Sequence, residues 1–270
     1  FIHTWLRFGE IMRGSLRAAY PIYASAFYAL SVIPEDFHVW DYLENSRTPE
    51  AYNKIVKGDA DIIFVAQPSG GQKKRAKESG VTLLYTPFAR EAFVFIVNAD
   101  NPVNSLTEQQ VRDIFSGAIT NWRAVGGNDQ EIQTWQRPED SGSQTVMQSQ
   151  VMKNVRMISP QETKVASVME GMIKVVAEYR NTNNAIGYTF RYYATQMNAD
   201  KNIKLLAING ITPTAENIRN GKYAYIVDAF MVTRENTTSE TQKLVEWFLT
   251  PQGQSLVEDV GYVPLYPTME

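Results

Sequence analysis

The sequence has 270 residues, of which 44% are hydrophobic and 20% are charged, and its formal net charge at pH 7 is −3. This composition is ordinary for a soluble globular protein with a sizeable core. The basic residues are scattered, which argues against nucleic acid as the main partner. The absence of cysteine excludes disulfides, cysteine-ligated zinc and thiol catalysis. No stretch reaches the roughly 18 apolar residues that a membrane helix requires.

Short apolar strands alternate with amphipathic helices along the chain, which is the pattern of an α/β protein. The predicted strands are, in order, Phe37–Trp40, Ile62–Val65, Thr82–Tyr85, Phe93–Val97, Ile132–Trp135, Ala185–Tyr188, Lys204–Ile208 and Ala229–Thr233. There is no internal repeat and no linker-like run of glycine, serine and proline. If the chain forms two lobes, strands therefore join them, and the extended segments Thr86–Val97 and Tyr223–Val232 suit that role.

Several helix starts carry capping signals. In the pairs Thr48–Pro49 and Thr212–Pro213, a threonine hydroxyl that can cap a helix precedes a proline. Proline is common at the first position of a helix. The segments Thr107–Gln110 and Ser239–Gln242 match the capping box, in which hydroxyl and amide side chains bond each other's backbone. We therefore expect helices to begin at these four places.

The sharpest local feature is the segment Gln136–Thr145, where a predicted strand leads into a loop and then into a helix that runs through about Met152. The free N–H groups and partial positive charge of a helix N-terminus favour bound anions. Ser141 and Ser143 add hydroxyl donors, and Gly142 allows a close approach to the backbone. The segment is therefore a candidate site for an oxyanion.

Arg137 precedes this helix start and supplies a planar guanidinium that can bind two oxygens of a tetrahedral anion at once. Glu139 is placed to hold Arg137 in position. The alternative is that Ser141 only caps a helix while Arg137 is a solvated loop charge. These residues alone leave both interpretations open.

Three other loops have a similar character, namely Gly14–Pro21, Asn45–Thr48 and Ala66–Ser69. Each by itself is an ordinary turn or helix cap. Together with the segment Gln136–Thr145, they place four loop-to-helix junctions at strand ends, where open α/β sheets bind their ligands. We expect them to converge on one site.

Signals for catalysis are weak. His3 and His38 are the only histidines, and neither has the spacing of a metal ligand or of a catalytic triad. There is no Walker-type phosphate loop and no nucleophile elbow. Glu139 and Asp140 are better interpreted as partners of Arg137 than as an acid–base pair. We expect no enzyme activity, no metal and no cofactor; a phosphate-ester hydrolase is the alternative that measured turnover would support.

The order of several motifs resembles the phosphate-binding proteins of bacterial ABC importers, within the periplasmic-binding-protein superfamily, over nearly the whole chain. The matching segments are Glu91–Asn98, Asn101–Val103, Leu106–Gly117, Ile119–Trp122, Ala185–Tyr188, Thr250–Gln254 and Gly261–Pro264. The resemblance implies a type II fold with two lobes, two interlobe crossings and a central ligand cleft. Residues 1–88 and 229–270 would form the first lobe, and residues 89–228 the second.

The resemblance also implies a set of ligand-binding residues. The Arg-x-x-x-Ser-Gly-Ser/Thr element of the family matches Arg137 and the helix start that follows it. The implied contacts are Ser15, Ala19, Tyr20, Ser46, Thr48, Arg137, Ser141, Gly142 and Ser143. To these we add Gln67, in the loop after the buried strand, and Glu139 as a supporting residue behind Arg137.

Two positions depart from the family pattern. Ala19 stands where relatives usually carry threonine, so one hydroxyl donor is missing. The loop Ala66–Ser69 carries Gln67 and lacks the aspartate that accepts the proton of hydrogen phosphate and thereby excludes sulfate. The sequence therefore supports an oxyanion more firmly than it supports phosphate.

The function implied by the resemblance is capture of a small oxyanion, with phosphate favoured, for the membrane permease of an ABC importer. We expect an extracytoplasmic monomer, anchored to lipid through a residue upstream of this segment, with no nucleic-acid partner. Alternative ligands are sulfate, molybdate, tungstate and a phosphonate. An alternative of a different class is a sensory or adhesive module that kept the fold without transport.

Overall fold

The computed structural model describes residues 13–14, 44–159, 164–167, 169–178, 184–197 and 199–269. The predicted strand Phe37–Trp40, both histidines and the candidate ligand residues Ser15, Ala19 and Tyr20 lie outside these ranges. Within these ranges, no helix has both the length and the apolar character needed to cross a membrane.

The described residues form a mixed α/β structure, as predicted. The strands are β1 (Arg13–Gly14), β2 (Glu44–Asn45), β3 (Ile62–Val65), β4 (Leu83–Asn98), β5 (Ser105–Leu106), β6 (Gln133–Thr134), β7 (Ala185–Phe190), β8 (Ile203–Leu205), β9 (Ala207–Ile208), β10 (Ile226–Arg234) and β11 (Val263–Pro264). The α-helices are α1 (Thr48–Lys57), α2 (Gly70–Glu78), α3 (Glu108–Ser116), α4 (Gly142–Val146), α5 (Met169–Glu178), α6 (Ala215–Arg219), α7 (Ser239–Phe248) and α8 (Pro251–Asp259). Two π-helices (Met147–Met152 and Tyr193–Met197) and a 3₁₀ turn (Trp122–Val125) complete the described elements.

The chain divides into two compact units. The first consists of Phe1–Arg90 and Asp228–Glu270, and the second is the continuous segment Glu91–Val227. Strands β4 and β10 each contribute residues to both units. The chain therefore passes from one unit to the other within extended segments.

In the first unit, β3 pairs antiparallel with β10, with Val65 opposite Phe230. All four residues of β3 are buried, as expected of a short apolar run in the middle of a core. Helix α1 packs on this strand through Tyr52 and Ile55, which are 2% and 0% exposed. The Tyr52 hydroxyl donates to the carbonyl of Ala66 at 3.1 Å, which ties the helix to the loop that follows β3.

In the second unit, β7 is buried along its whole length between two neighbours. It runs antiparallel to β4, with Phe95 opposite Tyr188, and parallel to β6, with Thr134 opposite Ile186. The parallel pairing brings the carboxyl ends of β6 and β7 to the same edge of the sheet. The loop that contains Arg137 and the C-terminal part of β7, which includes Tyr188, both lie at that edge.

An aromatic cluster fills the core of the second unit around Tyr188. Its ring centroid lies 5.4 Å from that of Phe93 and 5.6 Å from that of Phe115. Phe95 contacts both Phe93 and Phe115, at centroid distances of 5.7 and 5.9 Å. Tilted and edge-on contacts of this kind are favoured between aromatic rings and fix their orientation.

The second unit begins with a buried carboxylate. Glu91 is 3% exposed. Its Oε1 accepts the Ala92 N–H at 2.7 Å and its Oε2 accepts the Tyr192 N–H at 2.8 Å. Arg191 Nε lies 3.5 Å from Oε1. Burial raises the pKa of Glu91 to about 7, since desolvation disfavours the charged form more than Arg191 and the two amides favour it.

The capping box predicted for α3 is confirmed. Thr107 is the N-cap, its Oγ1 accepts the Gln110 N–H at 3.1 Å, and Gln110 Oε1 accepts the Thr107 N–H at 2.8 Å. Gly117 ends the helix in the left-handed region at φ 84°.

The other three predicted helix starts are shifted. Helix α1 begins at Thr48 itself, because the Glu50 carboxylate accepts the N–H of Arg47 at 3.0 Å and pairs with its guanidinium at 2.7 Å. Thr48 is therefore the first helical residue and not the cap. The prediction placed the cap one residue late because it gave weight to the hydroxyl and the proline rather than to Glu50.

At α6 and α7 a neighbouring threonine takes the capping role. Thr214, rather than Thr212, accepts the Asn217 N–H at 3.1 Å. Thr238, rather than Ser239, accepts the Thr241 N–H at 3.2 Å. Adjacent hydroxyl residues compete for the same role, so the sequence alone places these starts only to within two residues.

Candidate functional site

The approach to the site is an extended segment that is bonded on both sides. Beyond β6, the Trp135 N–H donates to the Ile186 carbonyl at 2.9 Å. Gln136 then exchanges two backbone bonds with the segment 164–166, at 3.1 and 2.9 Å. The position of the following residue, Arg137, is fixed by this ladder.

Arg137 is buried rather than solvated, with 8% of its surface exposed. Its Nη1 donates to the Ala166 carbonyl at 2.6 Å. Its backbone N–H donates to the hydroxyl oxygen of Tyr188 at 3.0 Å and to Gln144 Oε1 at 3.2 Å. These contacts contradict the alternative that Arg137 is a solvated loop charge. A buried guanidinium held in this way is preorganised for an anion.

Ser141 is the N-cap of α4, with backbone angles φ −67° and ψ 146°. Its Oγ accepts the Gln144 N–H at 3.3 Å, and its carbonyl accepts the N–H and the hydroxyl of Thr145 at 2.9 and 3.0 Å. The residue before it, Asp140, has a φ of 64° and turns the chain into the helix. Part of the alternative interpretation therefore holds, because Ser141 does cap the helix.

The first turn of α4 presents donors that the described chain leaves unused. Ser143 is 2% exposed, and its hydroxyl has no hydrogen-bond partner among the described residues. The N–H groups of Gly142 and Ser143 form no hydrogen bond within the same part of the chain. Both residues are buried, although unbonded helix-start amides usually meet water. Two amides and a hydroxyl at this helix start can therefore serve an anion.

Two residues of the site were missed by the sequence prediction, namely Gln144 and Tyr188. The Tyr188 hydroxyl donates to Gln144 Oε1, and both side chains accept the Arg137 N–H. Tyr188 is fully buried, and desolvation raises its pKa further above the usual range of a phenol. The sequence had one usable signal, since Tyr188 ends the apolar part of a strand that pairs with the one leading to Arg137.

Glu139 does not hold Arg137, contrary to the prediction. It is exposed, its Oε2 accepts a hydrogen bond from Gln148 Nε2 at 3.3 Å, and the described residues show no ion pair between it and Arg137. The two side chains lie in different surroundings, because Arg137 is buried and donates to the Ala166 carbonyl, while Glu139 is exposed.

The other described candidates lie in the first unit. Ser46 is partly buried, Thr48 is 6% exposed as the first residue of α1, and Gln67 is partly exposed after β3. In the same loop as Gln67, Ser69 caps α2, since its Oγ accepts the Gln72 N–H at 3.1 Å. A ligand contact of Ser46, Thr48 or Gln67 stays a prediction.

Within the described ranges, no group of three or more histidine, cysteine or acidic residues is arranged to hold a metal ion. The described helix start combines the buried guanidinium of Arg137 with backbone and hydroxyl hydrogen-bond donors. The site therefore has the chemistry of an anion-binding helix start on an α/β unit.

Comparison with known proteins identifies the family of the chain. The family model of the PBP superfamily domain matches residues 20–252. The chain belongs to the PBP (periplasmic-binding-protein) superfamily.

Named relatives agree with this assignment. The chain is 26% identical over 215 residues to the phosphate-binding protein PstS of Borreliella burgdorferi, covering 78% of this chain and 74% of that protein. It is 28% identical over 170 residues to the phosphate-binding protein PstS of Bacillus subtilis, covering 63% of this chain and 53% of that protein. A Clostridium perfringens protein whose crystal structure contains bound phosphate superimposes with a TM-score of 0.74 at 22% identity, over 94% of this chain and 99% of that one. This last likeness shows a shared fold.

Proposed function

We propose that this protein is an extracytoplasmic solute-binding protein that captures a small tetrahedral oxyanion, phosphate first, for the permease of an ABC importer. The observation that carries the proposal is the buried Ser143 hydroxyl, which has no partner among the described residues and lies at a helix start that follows a buried arginine. A buried hydroxyl without a partner lowers stability, and a bound anion would remove that penalty.

Phosphate is favoured among the oxyanions because the relatives named above are phosphate-binding proteins. Their names support a binding function, and the Clostridium perfringens protein named above is assigned as a phosphate ABC transporter substrate-binding protein, which supports the transport role. In this proposal the guanidinium of Arg137 neutralises charge while the amides and hydroxyl at the start of α4 bind oxygen atoms. Charge-assisted hydrogen bonds in a site shielded from water supply the affinity.

Another oxyanion is the second candidate, and a specific residue favours it. Gln67 stands in the loop where the family pattern has an aspartate, so the carboxylate that repels sulfate is missing from that loop. Sulfate, molybdate, tungstate and phosphonates are therefore the ligands to compare with phosphate.

The test is a calorimetric titration of the protein after unfolding and refolding have removed any ligand carried through purification. We expect phosphate to bind and to raise the unfolding temperature, because a ligand of the native state stabilises it. Chloride at matched ionic strength is the control and should do neither. Absence of binding by every oxyanion in the panel would contradict the proposal and favour a sensory or adhesive role. Turnover of a phosphate ester would contradict the assignment as a binding protein.

A further inference from the structure

The same four-residue pattern, a serine or threonine followed three positions later by glutamine, occurs at the starts of α2, α3 and α4. At α2, Gln72 Oε1 accepts the N–H of Ser69 at 2.8 Å. At α3, Gln110 Oε1 accepts the N–H of Thr107 at 2.8 Å. Both helices thus form the complete capping box that the pattern predicts.

At α4 the glutamine makes different bonds. Gln144 Oε1 accepts the N–H of Arg137 and the hydroxyl of Tyr188, and the N–H of Ser141 donates instead to the Pro138 carbonyl at 3.2 Å. Gln144 is 4% exposed, so its side chain is committed to this arrangement. The N-cap N–H of α4 therefore lacks the usual bond to the glutamine side chain. That side chain links the start of α4 to the backbone of Arg137 instead.

We propose that Gln144 and Tyr188 are positioning residues, which fix the backbone of Arg137 relative to the first turn of α4 so that both reach the same oxyanion. This inference rests on the proposed function. The two side chains and the Arg137 N–H form a closed triangle of hydrogen bonds. Gln144 belongs to the helix that carries the amide donors, so any movement of Arg137 away from that helix must break this triangle.

Tyr188 supplies the rigid member of the triangle. Its ring is held by Phe93 and Phe115, and its backbone lies in the buried strand β7. A fixed hydroxyl limits where both the glutamine and the arginine backbone can lie. Binding geometry tolerates only small displacements, so supporting residues of this kind influence affinity without touching the ligand.

The first test is Tyr188→Phe, which removes the hydroxyl and keeps the ring in its cluster. We expect phosphate to bind about tenfold more weakly, since one buried hydrogen bond of the support is lost. The matched control is Tyr223→Phe. Tyr223 is a buried tyrosine of the same unit whose hydroxyl donates to the Phe93 carbonyl at 3.2 Å and not to Gln144. It should lower stability and leave phosphate affinity unchanged. Equal losses of affinity in both variants would mean a general effect of stability and would overturn the inference.

The second test is Gln144→Met, which keeps the volume of the side chain and removes its acceptor. We expect its effect on affinity and that of Tyr188→Phe to combine non-additively, because the two residues act through one set of bonds. In both variants the Arg137 amide should exchange with deuterium faster in the absence of ligand, measured by NMR. This readout needs no phosphate: if the parent binds no oxyanion, the proposed function fails, while faster exchange at Arg137 still supports the positioning role. Unchanged exchange at Arg137 in both variants would overturn it.

Discussion

Helices α3 and α4 lie in the same unit, and each begins with a serine or threonine followed three positions later by glutamine. Their N-termini differ in which hydrogen-bond donors have a partner. At α3 the glutamine returns to the N-cap, and the first helical N–H, that of Glu108, donates to Asn209 Oδ1 at 3.2 Å. Thr107 and Gln109 are exposed, so water can serve any remaining donor. At α4 the first two helical residues, Gly142 and Ser143, are buried, and their N–H groups and the Ser143 hydroxyl have no partner among the described residues.

The difference teaches that burial, not the capping residue, separates a structural helix start from a candidate binding site. Both N-caps accept a hydrogen bond from the third helical N–H. An open donor in water has no net penalty, whereas the same donor in a dry site lowers stability until a ligand binds it. Gly142 and Ser143 are in the second situation. Substitutions that act on one helix start and not on the other can break or sharpen this distinction.

The largest expected effect is that of Arg137→Ala on anion affinity. Loss of the buried guanidinium at this helix start should weaken phosphate binding by roughly 3–5 kcal/mol, because a bound anion would lose a charge-assisted partner in a site shielded from water. Stability should also fall, since Arg137 is buried and donates to the Ala166 carbonyl. Calorimetric titration and urea unfolding measure the two quantities separately.

Arg123→Ala is the matched control for Arg137→Ala. Arg123 belongs to the same unit, and its side chain is 73% exposed and paired with Asp129. An exposed pair contributes little, so affinity and stability should both stay near the parent values. If Arg137→Ala binds phosphate as tightly as the parent does, α4 is a structural helix start like α3.

A second prediction concerns Glu91, a buried charge whose partners all belong to the protein. The pKa of Glu91 is raised to about 7 from an ordinary value of 4.5, so the folded state holds its proton more tightly than the unfolded state. Between these two pH values the stability contributed by this group falls as the pH rises. Glu91→Gln does not titrate. Its free energy of unfolding, measured against that of the parent by urea, should therefore rise on going from pH 5 to pH 8, by a few kcal/mol at most.

The control for that measurement is Glu78→Gln, which removes a carboxylate that is 63% exposed beside Lys74. Its stability relative to the parent should hardly change over the same pH range, because exposed pairs are weak. A pH-independent difference for Glu91→Gln would show that the carboxyl is not held at a raised pKa.

Glu91 also shows why the sequence placed some strands well and others poorly. Strand β3 was predicted with its observed bounds, because four consecutive large apolar residues between Asp61 and the loop Ala66–Ser69 have few alternatives. The long strand β4 was predicted as two shorter strands, since Pro87, Arg90 and Glu91 interrupt the apolar pattern. Tertiary contacts override that interruption: Glu91 is buried because Arg191 and two backbone amides from distant and adjacent residues surround it.

The same limit applies to the candidate site. The helix start after Arg137 followed from residue types, since serine and glycine at a helix N-terminus have local preferences that a sequence displays, but its burial did not. Gln144 and Tyr188 are 44 residues apart in the chain, and their contact depends on the parallel pairing of β6 with β7. The prediction for Glu139 failed for a related reason, because the direction in which Arg137 points is set by the carbonyl of a residue 29 positions away.

The third prediction contrasts the two helix starts directly, through Ser143→Ala and Thr107→Ala. Ser143→Ala removes a buried hydroxyl that has no partner among the described residues, so the ligand-free protein should keep or gain stability, while phosphate affinity falls by about 1–2 kcal/mol. Thr107→Ala removes a working cap, so stability should fall by about 1 kcal/mol while affinity stays unchanged. Ser143→Ala should thus lower phosphate affinity but not stability, and Thr107→Ala should lower stability but not phosphate affinity. A loss of stability in ligand-free Ser143→Ala similar to that of Thr107→Ala would show that the hydroxyl is already satisfied.

The smallest expected effect is on selectivity, and it concerns the loop before α2. The neutral acceptors in that loop are the Gln67 side-chain carbonyl and the Ser69 hydroxyl oxygen, which accepts the Gln72 N–H at 3.1 Å. A neutral amide oxygen can accept that proton, yet it repels sulfate far less than a buried carboxylate does. We therefore predict that phosphate binds, with weaker discrimination against sulfate than in relatives that carry the aspartate.

Gln67→Asp should reduce sulfate affinity more than phosphate affinity. Titrations with both anions on either side of the second ionisation of phosphate measure this difference. Strong phosphate binding without detectable sulfate binding in the parent would mean that another carboxylate senses the proton. An unchanged ratio of the two affinities in Gln67→Asp would place Gln67 away from the anion.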